Sequence, residues 1–435
     1  MNKSYQKVWL YVLFFVMLLL LRPQAGYDGD VNFWTSWAIY IKEHGFPNLY
    51  QNENNNYNPL FHYILWLFGW IVGSVAKIEH YRHQIKCITL LFDFGGALLV
   101  SSLVIERERR FMVSLLLLFN IAYLYDTLIW EQVDAIYAFF ALAAAVTAIR
   151  GRTVGSVLLY VLAFNAKTQA IIFLPPLLLL WGSAWVSGGW RKLPVALVAG
   201  AALQVAILSP FIWFSEQNAW PRIVEINRYA ADIFPCLSMN AYNLWVLMFR
   251  EQALLMLEGI HDTVEFHGLT YRQWGMLMFA TASAVALWPI LLLAVRKVLA
   301  RRWLATVEEQ ALVLLSCGLL PLLFTYLNTQ MHERYWHPAL LFVAAHAFLT
   351  RRYWLYILFS FAYFLQLEVL LQSLKMKNYA ILFFNPYFIA GLFTICILGG
   401  FFELYRLVRI THLLPDVRQL LAGRRHRVTH EVLIK

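Results

Sequence analysis

Pro59–Ala76, PLFHYILWLFGWIVGSVA, is the stretch on which the fold turns. It is apolar enough to cross a bilayer core of roughly 30 Å, and whether it crosses decides the side on which every later segment emerges. Thirteen such runs occur, near 8–21, 59–76, 87–105, 111–129, 133–149, 153–166, 168–182, 193–214, 271–295, 304–327, 338–349, 353–373 and 380–402. Cytoplasmic loops are rich in Lys and Arg. Here the basic clusters are Arg107/Arg109/Arg110, Arg150/Arg152, Arg191/Lys192, Arg296 to Arg302, Arg351/Arg352 and the tail after Arg406. Thirteen crossings cannot put both termini and all these clusters inside. Reading 59–76 as a non-crossing helix or re-entrant piece of the first external loop repairs every later assignment and leaves twelve crossings.

Composition agrees. Of 435 residues, 61% are hydrophobic and 14% charged, with a mean hydropathy of +0.59, whereas soluble domains run near a quarter charged. The expected class is an all-α polytopic membrane protein. Cysteines 87, 236, 317 and 396 have no short spacing, which argues against a disulfide framework or a zinc site. The net charge of +10 falls in short clusters between apolar runs, where topology needs it, so no nucleic-acid partner follows. Val8–Leu21 is read as a retained first helix, because no small-residue cleavage pattern follows it. The chain divides into a transmembrane module 1–214 with a first external loop 22–86, an external loop 215–270, a second transmembrane module 271–403 and a basic cytoplasmic tail 404–435. The tail is expected at the membrane surface. There is no glycine-rich nucleotide loop, no internal repeat and no low-complexity linker.

Burial in a membrane does not explain several polar residues, all on the external side of this topology. Asp28 and Asp30 precede an amphipathic stretch with Trp34, Trp37 and Tyr40, which also suits a plain interfacial helix. Glu131, Gln132 and Asp134 interrupt two apolar runs in WEQVD, as a short polar turn would. Lys167 divides another apolar segment, where a lone lysine could snorkel to the surface. MHERYWHP brings His332, Glu333, Arg334 and His337 into one turn; without HExxH it is a poor metal site, and His332 and Arg334 are better anion ligands. The 215–270 segment carries Trp220, Arg222, Arg228 and Asp232, then SMNAYNLW with Asn240, Asn243 and Trp245. Its amides and aromatics suit sugar or headgroup binding as well as an ordinary interfacial helix. Acids at 28, 30, 131 and 134 and basic residues at 167, 332 and 334 therefore converge on one side, as binding a phosphate and deprotonating a hydroxyl near a membrane require.

In order along the chain, GD…FWTSWA…G, NYNPLFHYIL, WEQVDA, AKTQAIIFLPP, NAYNLW and TQMHERYWHPAL resemble the GT-C class of polyprenyl-phosphate-sugar-dependent integral membrane glycosyltransferases. They are closest to the bacterial mannosyltransferases similar to GPI mannosyltransferase II. The likeness covers roughly residues 26–340. That family usually has Gly where Glu131 stands and a second Pro where Asn58 stands. The resemblance implies a GT-C fold of about 12 transmembrane helices, with juxtamembrane helices in the first external loop. It implies a polyprenyl-phosphate sugar donor, with mannose inherited from the likeness alone, and a glycan, lipid or protein acceptor at the bilayer. The chemistry implied is an inverting displacement; no cofactor is expected, and no metal ligand is among the expected site residues. Asp30 matches the family's acid and is the expected base, with Asp28 as fallback. Lys167, Arg334 and His332 are expected on the departing phosphate. Asp134, Gln132 and Glu131 are expected to orient the sugar or those cations, and Asn240, Asn243 and Trp245 to line the sugar or acceptor pocket. The implied location is a bacterial inner membrane with the site on the periplasmic face, or an endoplasmic-reticulum membrane with a lumenal site if the source is eukaryotic. A transporter or flippase, and an O-antigen polymerase or ligase, are the competing classes.

Overall fold

A computed structural model describes residues 3–21, 28–189, 191–229, 234–249, 255–256, 259–301, 303–376 and 381–413. Residues 22–27 of the first loop, Asp232 and the tail beyond 413 lie outside them. The described residues form an α-helical protein whose only strands are four two-residue pieces. Leu-, Ala- and Phe-rich runs favour helix, and local chemistry sets their ends. Pro59, Pro175, Pro338 and Pro386 stand in first turns, where a missing N–H costs nothing. Thr270 with Gln273, and Thr306 with Glu309, form reciprocal caps.

Seven of the described helices are long and apolar enough to cross a membrane, or eight if one bent pair counts as a single span. The protein is therefore an all-α polytopic membrane protein. The bent pair lies in the 111–129 run, which breaks into helices Arg107–Leu118 and Ile121–Leu128 at 55°. Asn120 causes the break. Its side-chain oxygen caps Tyr123 N, while its amide donates to Tyr356 and Ser360 at 2.7 Å each. Pro59–Val72 is a 14-residue helix ended by Gly73 at φ 96°, about 21 Å long at 1.5 Å per residue. Thr153–Ala166 and His337–Thr350 are equally short, so length alone does not single out the 59–72 helix. Val307–Leu327 and His337–Thr350 are buried on nearly all sides and form the centre of the bundle.

The bundle has two chemically distinct ends. At one, Arg109 donates to Phe348 O at 2.9 Å, Arg351 pairs with Glu106, and Arg352 meets Glu403 at 2.7 Å. Arg150 reaches Ser102 at 3.2 Å, and Trp303 donates to Ile149 O at 2.6 Å. The basic clusters of separate loops are thus gathered together. Helix Asp134–Ile149 runs from Asp134 toward that end, and helix Thr153–Ala166 returns from it to Lys167. Asp134 and Lys167 consequently mark the other end.

Exposed positions Glu79 and Arg107 lie near the Lys167 end and the basic end respectively. In a Cys87→Ser background, Glu79→Cys and Arg107→Cys are expected to react with an impermeant maleimide from opposite sides of sealed vesicles. Labelling of both from one side would rule out this arrangement.

Candidate functional site

Four sequence-distant segments meet at the Lys167 end. Asp30 lies in the first turn of helix Asp28–His44, Gln132 and Asp134 at the start of helix Asp134–Ile149, Lys167 at the C-cap of helix Thr153–Ala166, and Arg334 just after the short strand Met331–His332. Gln132 Nε2 donates to Asp30 Oδ2 at 2.8 Å, and Arg334 Nη2 stands 3.4 Å from the same oxygen. Lys167 Nζ donates to Asp134 Oδ1 at 2.6 Å. Arg334 donates to Glu333 at 3.1 Å and points Nε toward Asp134 at 3.7 Å. Of the acids 28, 30, 131 and 134 and the basic residues 167, 332 and 334 expected on one side, Asp30, Asp134, Lys167 and Arg334 meet here, joined by Gln132.

Within the cluster the residues are not equivalent. The Asp134 side chain is fully buried, while that of Asp30 is 29% exposed, and Asp30 Oδ1 has no partner among the described residues. Lys167 is occupied: besides Asp134 it lies 4.8 Å from the Tyr335 ring and 5.5 Å from that of Tyr137. Burial pushes its ammonium below the usual range, although Asp134 opposes this. Arg334 is the cation with hydrogen-bond donors to spare, since among the described residues only its bond to Glu333 meets hydrogen-bond geometry and its buried Nε has no hydrogen-bond partner. Burial works against its charge, but Asp30, Glu333 and Asp134 raise its pKa well above the usual value. Burial and then Arg334 push His332 below the usual imidazole range, so it offers a neutral hydrogen bond and no full charge. Burial alone would raise Glu333, yet His332 and Arg334 hold it below the usual carboxylate range.

Asp28 and Glu131 belong to a neighbouring cluster. Asp28 is 56% exposed and accepts from Arg82 at 2.8 Å. Glu131 is buried between His83, at 2.7 Å, and the buried Lys86. Glu131 was expected to orient sugar or cations, but its carboxylate is spent on these two partners. Its backbone lies in the left-handed region at φ 63°, a conformation that favours glycine. Arg82, His83 and Lys86 were missed by sequence reasoning, whose only clue was three basic residues on the side that topology leaves poor in them.

Asn240, Asn243 and Trp245 serve as a brace. Strand Ser238–Met239 pairs in parallel with Met331–His332, and Asn240 O accepts from Gln366 at 2.8 Å. Asn243 donates to Thr325 O at 3.1 Å, and Trp245 donates to Asn328 O at 3.1 Å. Asn243 and Trp245 are fully buried, so they do not line an open sugar pocket; they hold the turn that carries Arg334. Asp262 completes the brace, accepting from Arg272 at 3.0 Å, Thr329 at 2.8 Å and Gln330 at 2.7 Å.

A third polar group lies deeper. His337 Nε2 is 3.9 Å from Asp93 and its Nδ1 3.7 Å from Asp126, all three fully buried, with Tyr123 stacked on the imidazole at 5.4 Å. Among the described residues neither carboxylate nor either ring nitrogen has a hydrogen-bond partner. Asp93 and Asp126 each interrupt an apolar run, a signal that could have revealed them. Among the described residues no group of three or more His, Cys, Asp or Glu could hold a metal ion. Compared with known proteins, the chain matches no family model and no curated sequence.

Removing one partner of a buried ion pair costs about 3–5 kcal/mol, because the other is left uncompensated. Lys86→Met and Glu131→Gly should each lower the unfolding midpoint in detergent, the second by less because relief of the left-handed backbone returns about 1–2 kcal/mol. The double variant should recover most of the loss. A double variant as unstable as the two losses added would refute the pairing.

Proposed function

We propose that the protein is an inverting GT-C-type glycosyltransferase, with about twelve membrane crossings, that moves a sugar from a polyprenyl-phosphate carrier to an acceptor hydroxyl. The observation carrying this reading is the geometry of Asp30: one carboxylate oxygen is held by Gln132 and faces Arg334, while the other is open. A general base needs that combination of fixed orientation and accessible oxygen. Asp30 takes the acceptor's hydroxyl proton, the acceptor oxygen bonds to C1 of the sugar, and the C1–oxygen bond to the carrier phosphate breaks with its electron pair. The unspent donors of Arg334, with a hydrogen bond from His332, meet the growing phosphate charge. Lys167 acts through Asp134, which it fixes beside Arg334.

The gathering of basic loops at the far end supports a cytoplasmic location for that end by the positive-inside tendency. The site then faces the periplasm or lumen, where lipid-phosphate sugars and not nucleotide sugars are the expected donors. Mannose remains the first sugar to try, by the sequence resemblance. The buried Asp93–His337–Asp126 group favours one second reading, a transporter for lipid-linked glycans, since such groups within helices often mark ion or proton paths. Radiolabel transfer from polyprenyl-phosphate mannose to a glycan acceptor separates the two: product formation supports the transferase, and substrate movement across vesicles without product supports the transporter.

Asp30→Asn should leave donor binding intact and lower turnover by about 10²–10⁴-fold, the usual contribution of a general base. Asp28→Asn should cost far less, because Asp28 is engaged with Arg82. Wild-type rates in Asp30→Asn remove the base assignment, and a larger loss at Asp28 transfers it there.

Charged hydrogen bonds to a phosphate contribute roughly 1.5–3 kcal/mol each. Arg334→Ala is therefore expected to weaken binding of the polyprenyl-phosphate sugar by about tenfold or more, as read by equilibrium binding in nanodiscs. Unchanged affinity would refute the phosphate role.

A further inference from the structure

We propose that the cavity of about 550 Å³ between the Phe46–Gln51 turn and helix Trp220–Arg228 is the acceptor subsite, and that it takes the hydroxyl-rich head of a membrane-anchored carbohydrate. This rests on the transferase reading above. The volume lies within the range of small-molecule sites, roughly 300–1,000 Å³.

The lining decides the ligand class. Tyr50 and Tyr229 supply rings, and Gln51, Gln217 and Asn218 supply amides. A sugar presents C–H faces that lie on aromatic rings and hydroxyls that both donate and accept, which amides match group for group. Arg222 also lines the cavity, but it is paired with Glu225 at 2.9 Å. The wall therefore carries no excess positive charge, which disfavours a phosphate or a nucleotide. Capacity remains for a ligand: the Gln217 side chain makes no hydrogen bond among the described residues, and Asn218 uses only its oxygen, on Trp220 N at 2.9 Å.

The walls are held in place before any ligand arrives. Arg222 donates to Glu53 O at 2.8 Å, and Tyr50 donates to Tyr57 O at 3.0 Å. The same contacts lead toward the cluster. Tyr57 is followed by Asn58, to which Asn227 of the cavity helix donates at 2.9 Å, and Asn227 accepts from Thr168, the neighbour of Lys167, at 2.8 Å. Trp213, Phe214 and Trp220 are exposed on the adjoining chain, as bilayer-interface aromatics are. A head in the cavity thus sits at membrane depth, where an attached lipid can remain in the bilayer.

The test uses the full chain in nanodiscs and three probes: octyl α-mannoside, octyl β-glucoside and octyl β-galactoside, with octanol as the control for partitioning. Wild type is expected to bind at least one glycoside above octanol by calorimetry. Gln217→Ala/Asn218→Ala and Tyr229→Ala, all at exposed positions, should weaken that binding by tenfold or more while leaving polyprenyl-phosphate-sugar binding unchanged. No glycoside binding above octanol, or equal binding in the variants, overturns the subsite. Variant-sensitive glycoside binding in a protein that transfers no sugar supports the carbohydrate site and removes the transferase reading. Transfer with an unchanged acceptor KM in both variants overturns the subsite and leaves the transferase reading standing.

Discussion

Arg334 cannot be buried alone, and that constraint organises the Lys167 end of the molecule. An uncompensated ion in a low-dielectric interior costs several kcal/mol even after relaxation. Its partners Asp30, Glu333 and Asp134 come from the first loop, from its own turn and from the helix starting at residue 134. Asp134 in turn needs Lys167. Satisfying one guanidinium therefore ties together segments about three hundred residues apart, and the helices carrying them must end at the same level. The Ser238–Met239 strand, Asp262 and Trp245 keep the Arg334 turn from moving away from those partners.

The sequence was informative where chemistry and position coincide. Ionisable residues at the ends of apolar runs drew attention to Asp28, Asp30, Glu131, Asp134, Lys167, His332 and Arg334, of which Asp30, Asp134, Lys167 and Arg334 lie together, because such residues near a membrane mainly have partners or work to do. Run lengths and basic loops indicated a helical membrane protein. What stayed hidden was pairing. Hydropathy treats 111–129 as one run, yet Asn120 can bond two hydroxyls of another helix and cap its own, and the run bends there. Glu131 resembled a site acid; its left-handed backbone and its partnership with Lys86 depend on a segment 45 residues away, which no local pattern reports. Asn243 and Trp245 have the residue types of a sugar site, but their donors are consumed by backbone carbonyls. Residue type suggests what a side chain could bind, and only the fold decides whether its hydrogen-bonding groups are still available.

That distinction also separates two kinds of polar surface at this end of the bundle. Around Asp30 the groups are charged, mostly buried and mutually engaged, so little except a charged or strongly polarised ligand could compete for them. Among the described residues lining the cavity of Tyr50 and Arg222, the charged ones, Arg222 and Glu225, are paired, and neutral amides are left with hydrogen bonds to make. A donor phosphate and an uncharged sugar head would thus be sorted by electrostatics before shape is considered.

The cluster's charge bears on how the proposed base and phosphate site could share so small a space. Asp30, Asp134 and Glu333 face Lys167 and Arg334, leaving one negative charge in excess, and a carrier phosphodiester adds another. Such a site would resist any step that created further net charge, since interactions between charges strengthen as the local dielectric falls. In the proposed transfer none is created. As the C1–oxygen bond breaks, the phosphate gains one negative charge, and as the hydroxyl proton moves, Asp30 loses one. Arg334 faces Asp30 and would face the phosphate, so its attraction would shift from carboxylate to phosphate while the total stayed constant. Of the two carboxylates that remain, Asp134 is held by Lys167, which would keep it from drawing Arg334 away during that exchange.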